Sequence, residues 1–169
     1  MTKALLYLTL LLPLMYACAE AKGESETSAP ISEEPYNSDY EFENGEHIHW
    51  EAETEGDYIV IKAWLNTDWN TYSVYNTNFL GPLPTLIFFD DNENFELVGE
   101  IEEVGLKSKF DKESESEIGY FENMAVFKQK IKPISGEEFA LTGNVNYMIC
   151  NSNMCLPPAD YNFELTIKP

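Results

Sequence analysis

From His47 onward the apolar residues fall on alternate positions in short runs, and no long stretch carries them at helical spacing. Ile48, Trp50 and Ala52 alternate with His49, Glu51 and Glu53. Glu55-Gly56-Asp57 then supplies a turn, after which Ile59, Ile61, Ala63 and Leu65 alternate with Val60, Lys62 and Trp64. That pattern predicts a hairpin. Residues 66–70 form a polar connection holding Trp69, and Tyr72, Val74 and Tyr75 begin another extended piece. Gly81-Pro82-Leu83-Pro84 is a stiff bend. Residues 85–89 and 95–101 flank Asp90-Asp91-Asn92-Glu93-Asn94 as a second hairpin. Residues 107–119 are charged and serine-rich and read as a surface loop. Residues 124–131, 139–149 and 161–167 complete about eight strands, with Ser135-Gly136 turning one pair. Short strands at this spacing predict an all-β chain folded as an antiparallel β-sandwich.

The first residues belong to a different regime. Lys3 precedes an apolar run over residues 4–15, a positive region and hydrophobic core of signal-peptide type, too short for a comfortable membrane span. Cys18 follows Leu14-Met15-Tyr16-Ala17, which resembles a loose lipobox, so Cys18 is the expected lipidation site; cleavage after Ala19 is the rival reading. Residues 18–46 are rich in Glu, Ser, Pro, Gly and Ala with little periodicity, which predicts a disordered acidic tether. Fully flexible, it would reach roughly 30 Å. The expected plan is a lipoprotein-type signal peptide over 1–17, a tether over 18–46 and a folded domain over 47–169. Such a chain is exported, anchored to a membrane through lipid, and lives where disulfides persist.

Charge narrows the functional classes. The net charge is −20, and all ten basic residues are lysines. Nucleic-acid binding is excluded for want of a basic footprint. The same field repels anionic surfaces and favours partners carrying a positive patch. A hydrophobic fraction of 44% with 14% aromatics supports a packed core.

The remaining cysteines, Cys150 and Cys155, lie where a strand runs into a polar loop and a proline brake. Val145, Tyr147 and Ile149 alternate with Asn144, Asn146 and Met148, and Asn151-Ser152-Asn153-Met154 separates the thiols. If that loop folds back, the two can bridge. Pro157 and Pro158 block further pairing. Three chemistries fit: a redox couple, a structural staple, and a soft metal site. A staple of so short a loop contributes only about 2 kcal/mol. The metal reading would use Met148, Met154 and the thiols for Cu(I), with His47 and His49 on one strand face as a borderline addition. Two exposed histidines on an acidic face explain that pair more simply. No nucleophile elbow, Ser-His-acid set or phosphate-binding glycine loop is visible, and no cofactor is implied.

Tyr147-Met148-Ile149-Cys150 followed by Cys155-Leu156-Pro157-Pro158 resembles the signature of the N-terminal domain of the thiol:disulfide interchange protein DsbD. Trp69-Asn70-Thr71-Tyr72-Ser73, Gly81-Pro82-Leu83-Pro84-Thr85, Phe95-Glu96-Leu97-Val98-Gly99 and residues 125–131 are similar to segments found in the same order in single-domain relatives. The resemblance implies an immunoglobulin-like sandwich and thiol–disulfide exchange with thioredoxin-like or other periplasmic thiol–disulfide proteins, on the periplasmic side of a membrane. It implies that Cys155 makes the intermolecular bond and Cys150 resolves it. It matches Tyr72, which the residues alone read equally as core, to a tyrosine near the couple, and implies a cap loop over residues 110–120 in which an aromatic covers the disulfide; Met154 and Pro157 neighbour the couple along the chain. Ser114 stands where that aromatic is expected, so either Phe110 or Tyr120 reaches over the site or the pair is unshielded. Carboxylates at Asp111, Glu113, Glu115 and Glu117 would disfavour thiolates if close. The chain has neither the transmembrane nor the thioredoxin-like domain of full-length DsbD, so separate proteins are expected as donor and acceptor. The alternatives are a non-enzymatic lipoprotein binding module with a structural disulfide, and a Cu(I)-binding module.

Overall fold

The computed structural model describes residues 40–77, 80–112 and 114–169. Ten strands form among them. The first five are β1 (Ile48–Glu55), β2 (Tyr58–Leu65), β3 (Asn70–Tyr72), β4 (Leu86–Phe89) and β5 (Phe95–Val104). The others are β6 (Lys107–Asp111), β7 (Ser116–Glu122), β8 (Met124–Pro133), β9 (Phe139–Tyr147) and β10 (Ala159–Ile167). They assemble into three antiparallel sheets, in the orders β1-β2-β8-β5, β10-β9-β4 and β3-β7-β6. The predicted all-β, immunoglobulin-like sandwich is the observed architecture.

Alternation explains which face of each strand is inside. Ile59, Ile61, Ala63 and Leu65 of β2 and Ala125, Phe127 and Ile131 of β8 point into the main core. Leu141 and Val145 of β9, with Phe163 and Ile167 of β10, meet them from the second sheet. Trp50 stacks on Phe127 and tilts against Tyr147, with ring centroids 6.1 and 5.1 Å apart. Each such side chain taken from water contributes about 1.5–3 kcal/mol. The β1–β2 hairpin closes through Gly56-Asp57, and Gly56 adopts φ +57°, a conformation glycine takes without steric cost.

Residues 85–89 and 95–101, expected to pair as a second hairpin, instead lie in different sheets as β4 on β9 and β5 on β8. Three further sequence expectations need correction. Residues 107–119, read as a surface loop, contain β6 and most of β7. Their charge hides an alternation: Ile118 is buried and Tyr120 half-buried, whereas Lys107, Lys109, Lys112, Glu115 and Glu117 are exposed. As an edge strand β6 carries Lys107 and Lys109, a composition that discourages pairing with other chains. Secondly, the extended run through Tyr72, Val74 and Tyr75 stops at Tyr72. Glu103 of β5 accepts from the Ser73 hydroxyl and the Val74 N–H, each at 2.8 Å, and folds those residues into a turn. Burial raises the pKa of that carboxyl, and the two donors oppose the rise.

Thirdly, the folded unit reaches further back than residue 47. Tyr40 stacks on His49 with centroids 4.0 Å apart, and its hydroxyl donates to Glu46 at 3.2 Å. Residues 40–46, assigned by composition to the tether, therefore pack on β1. The two histidines are half-buried, not exposed: His47 stacks on Trp69 at 4.3 Å, and His49 lies 3.2 Å from Glu46 and 3.5 Å from Glu51. The signal-peptide segment, Cys18 and the rest of the tether fall outside the described residues.

One glycine tests the packing of the second sheet. Gly143 of β9 stands opposite Phe163 of β10 and Phe89 of β4. A Cβ there would run into the Phe163 ring and come within 2.5 Å of the Phe88 carbonyl oxygen. Gly143→Ala should therefore lower unfolding free energy by about 1–3 kcal/mol in a urea titration. Gly136→Ala, where a Cβ meets nothing within 4 Å, should stay within about 0.5 kcal/mol of the parent.

A candidate redox site between β9 and β10

β9 and β10 pair in continuous register from Phe139↔Ile167 to Tyr147↔Ala159, so residues 148–158 leave the sheet as one excursion. Its root is fixed by three contacts. Ile149 is buried in the main core, Leu156 packs against the same core, and the Thr71 hydroxyl donates to the Met148 carbonyl at 3.2 Å. Cys150 then pairs with Asn70 at the start of β3. The Asn70 N–H donates to the Cys150 carbonyl at 2.8 Å, and the Cys150 N–H donates back at 3.0 Å. Both backbone groups of Cys150 are thereby satisfied.

The turn that returns the chain is built by Asn151. Its side-chain oxygen accepts from the N–H groups of Asn153 and Met154 at 2.9 and 3.0 Å, while its own N–H donates to the Met154 carbonyl at 2.9 Å. Leu156 N–H closes the next rung on the Ile149 carbonyl, also at 2.9 Å. Cys150 and Cys155 face each other between those two rungs as a non-hydrogen-bonded antiparallel pair, the arrangement in which opposing side chains stand nearest. Their Cα atoms are 3.9 Å apart and the sulfurs are joined in a disulfide.

The two sulfurs live in unlike surroundings. Cys150 is only 4% exposed and packs with Tyr72 and Ile118, while Tyr120 and Met148 lie against that cluster. Cys155 is exposed. Tyr72, at 2% exposure, has its phenol pushed up to about 12 by burial and by the charge of Asp111. The phenol thus stays neutral throughout the range in which thiols exchange.

Of the other residues singled out from the sequence, Tyr120 lies against the cysteine cluster and carries Lys109 Nζ 4.6 Å from its ring centroid. Phe110 stands elsewhere. It is 63% exposed and outside the cluster, because alternation along β6 turns it away from the face that Lys109 and Asp111 share. Met154 is 55% exposed at the turn, and Pro157 is exposed beyond it. Met148 sits by Cys150 while Met154 projects to solvent, and both histidines are engaged elsewhere, so the Cu(I) set is not assembled. Among the described residues no three His, Cys, Asp or Glu side chains converge as a metal site.

Sequence reading missed Asn70, Ile118 and Lys109. Asn70 acts through its backbone, which leaves no trace in residue type. Ile118 and Lys109 reach the site only because β3, β7 and β6 lie side by side.

No protein-family model and no curated protein matches the sequence. Solved structures do match in shape. The N-terminal domain of DsbD from Neisseria meningitidis, in its reduced form, aligns with a TM-score of 0.51 at 14% identity, over 71% of this chain and 85% of that one. A structure of the complex between the DsbD N-terminal and PilB N-terminal domains of the same organism gives 0.53 at 14% identity, over 72% and 88%. The sandwich that carries the Cys150–Cys155 disulfide therefore has the immunoglobulin-like fold of the DsbD N-terminal domain.

Proposed function

We propose that the chain is an extracytoplasmic thiol–disulfide exchange module that relays electrons between partner proteins through Cys150 and Cys155. The observation that carries this reading is the asymmetry of the disulfide: one sulfur clamped and buried, the other presented to solvent on a turn. A partner thiolate can approach only Cys155. Attack there forms a mixed disulfide and expels Cys150 as the leaving sulfur; a second partner thiol then releases Cys155 and leaves a dithiol. In the opposite direction Cys155 attacks a partner disulfide, and Cys150, held against its neighbour by the Asn70 pairing, resolves the intermediate. A bridge serving stability alone has no need of an exposed sulfur, and its loop is short enough to contribute only about 2 kcal/mol.

The fold match supports partners of the thiol–disulfide class, thioredoxin-like proteins among them, since the Neisseria domain is seen in complex with a PilB domain. The net charge of −20 favours partners whose docking face is positive. The proposed plan completes the picture: a signal peptide over 1–17, lipid on Cys18 after export, and an acidic tether that lets the domain search the periplasmic space near its membrane.

Cys150→Ser should accumulate a mixed disulfide on Cys155 when incubated with oxidised partner proteins, and Cys155→Ser should not. The Cys150–Cys155 potential should lie near −200 mV; a value below about −300 mV would identify a structural bond instead. Asn151→Ala removes the two side-chain bonds that hold the turn closed and so disfavours the oxidised form. Equilibration with redox buffers should show a potential raised by about 20–40 mV. Replacing Cys18 with serine should move the protein from the membrane fraction to the soluble one; continued membrane retention would sink the lipid anchor.

A further inference from the structure

Against the turn that joins the two cysteines lies a cavity of about 460 Å³, within the size range of sites for small molecules. The cysteine turn forms one wall through Asn151 and Ser152, and β3 with its lead-in supplies Asp68, Trp69, Asn70 and Tyr72. Lys109 and Glu122 line it from β6 and β7. Two of its residues, Asp68 and Asn123, hold left-handed backbone at φ 69° and 63°, a conformation Asp and Asn tolerate better than most. The turns they make are tied together, since the Asn123 carbonyl accepts from Leu65 N–H at 2.8 Å. The walls are therefore preformed.

The charges within it are specific. Glu122 is engaged by Lys107 at 2.7 Å. Lys109 rests on the Tyr120 ring and forms no ion pair among the described residues, and neither does Asp68. One cation and one anion thus face the same space without neutralising each other. In a molecule of net charge −20 an anionic thiol would ordinarily be turned away. Three of the ten lysines, however, fall at positions 107, 109 and 112, on and just beyond β6.

We propose that this cavity is a subsite for a short zwitterionic peptide thiol, whose carboxylate meets Lys109 and whose ammonium meets Asp68, so that its sulfur reaches Cys155. The inference rests on the exchange reading above. The balance is that of two thiols and one disulfide. The bound thiolate attacks the Cys155 sulfur, forming a mixed disulfide as the Cys150–Cys155 bond breaks and Cys150 takes up a proton. A second thiolate attacks the peptide sulfur of that mixed disulfide, and Cys155 leaves. Two peptide thiols become one peptide disulfide while the protein gains both electrons as a dithiol.

The experiment follows reduction of the oxidised protein by glutathione and by 2-mercaptoethanol, each rate divided by its thiolate concentration. Glutathione should be faster by at least tenfold, and that ratio should fall at least fivefold in Lys109→Gln and in Asp68→Asn, with Lys132→Gln leaving it unchanged. S-methylglutathione, which has no thiol to react, should slow glutathione competitively. Equal normalised rates in the parent, or a ratio untouched by both charge variants, would overturn the subsite while leaving the exchange reading standing. Slower exchange with a protein partner in Lys109→Gln at an unchanged ratio would likewise overturn it and assign the cavity to protein docking. A disulfide inert to both 2-mercaptoethanol and dithiothreitol would remove the exchange reading and the subsite together.

Discussion

The reciprocal backbone pair between Asn70 and Cys150 is the contact on which the site depends. β3 is only three residues long, yet it bonds to β7 along one edge and to Cys150 along the other. An excursion from one sheet is thereby stitched to the edge of another. Without that pair, residues 148–158 would be a long polar loop tied down only at its root. With it, Cys150 becomes part of the framework, and its sulfur is pressed among Tyr72, Ile118 and Tyr120. Cys155 has no equivalent anchor. It is held by the Asn151 turn, by the rung from Leu156 to Ile149, and by the S–S bond itself. Two cysteines five positions apart are chemically alike in the sequence and unlike in the fold, because backbone pairing immobilises only the first.

Electrostatics around the couple run against the character of the whole chain. The molecule is strongly acidic, but the β6 face turned toward the cysteines carries lysine side chains, and the Asp111 charge there falls on a phenol that stays protonated. Glu117 lies opposite Phe110 in the register, on the other face of the hairpin. Asp111 and Glu117, both within the expected cap loop, are thus sorted by strand alternation onto opposite faces of the β6–β7 hairpin.

Much of this architecture was legible in advance. Alternation alone located β1, β2, β8, β9 and β10, since a strand buried on one face must repeat every second residue. The Asn-Ser-Asn-Met loop between the cysteines announced a turn, and the side-chain bonds of Asn151 are the mechanism behind that signal. The β6–β7 hairpin was not legible. Its apolar positions are few, and the seven charged side chains from Lys107 to Glu117 mask them. The role of residues 40–46 was hidden for a similar reason: Tyr40 and Glu46 look like tether until His49 is seen beneath them.

The sequence by itself determined the strand class, the sign of the surface, and a pair of thiols at a turn. Those are properties of residue type and local spacing, which a one-dimensional reading captures. Only the tertiary structure decided that Cys150 is buried and Cys155 exposed, that Phe110 faces away while Tyr120 lies against the site, and that Lys109 and Asp68 share a cavity. Each of these depends on which strand edge lies beside which, and strand order is set by packing between segments far apart in the chain.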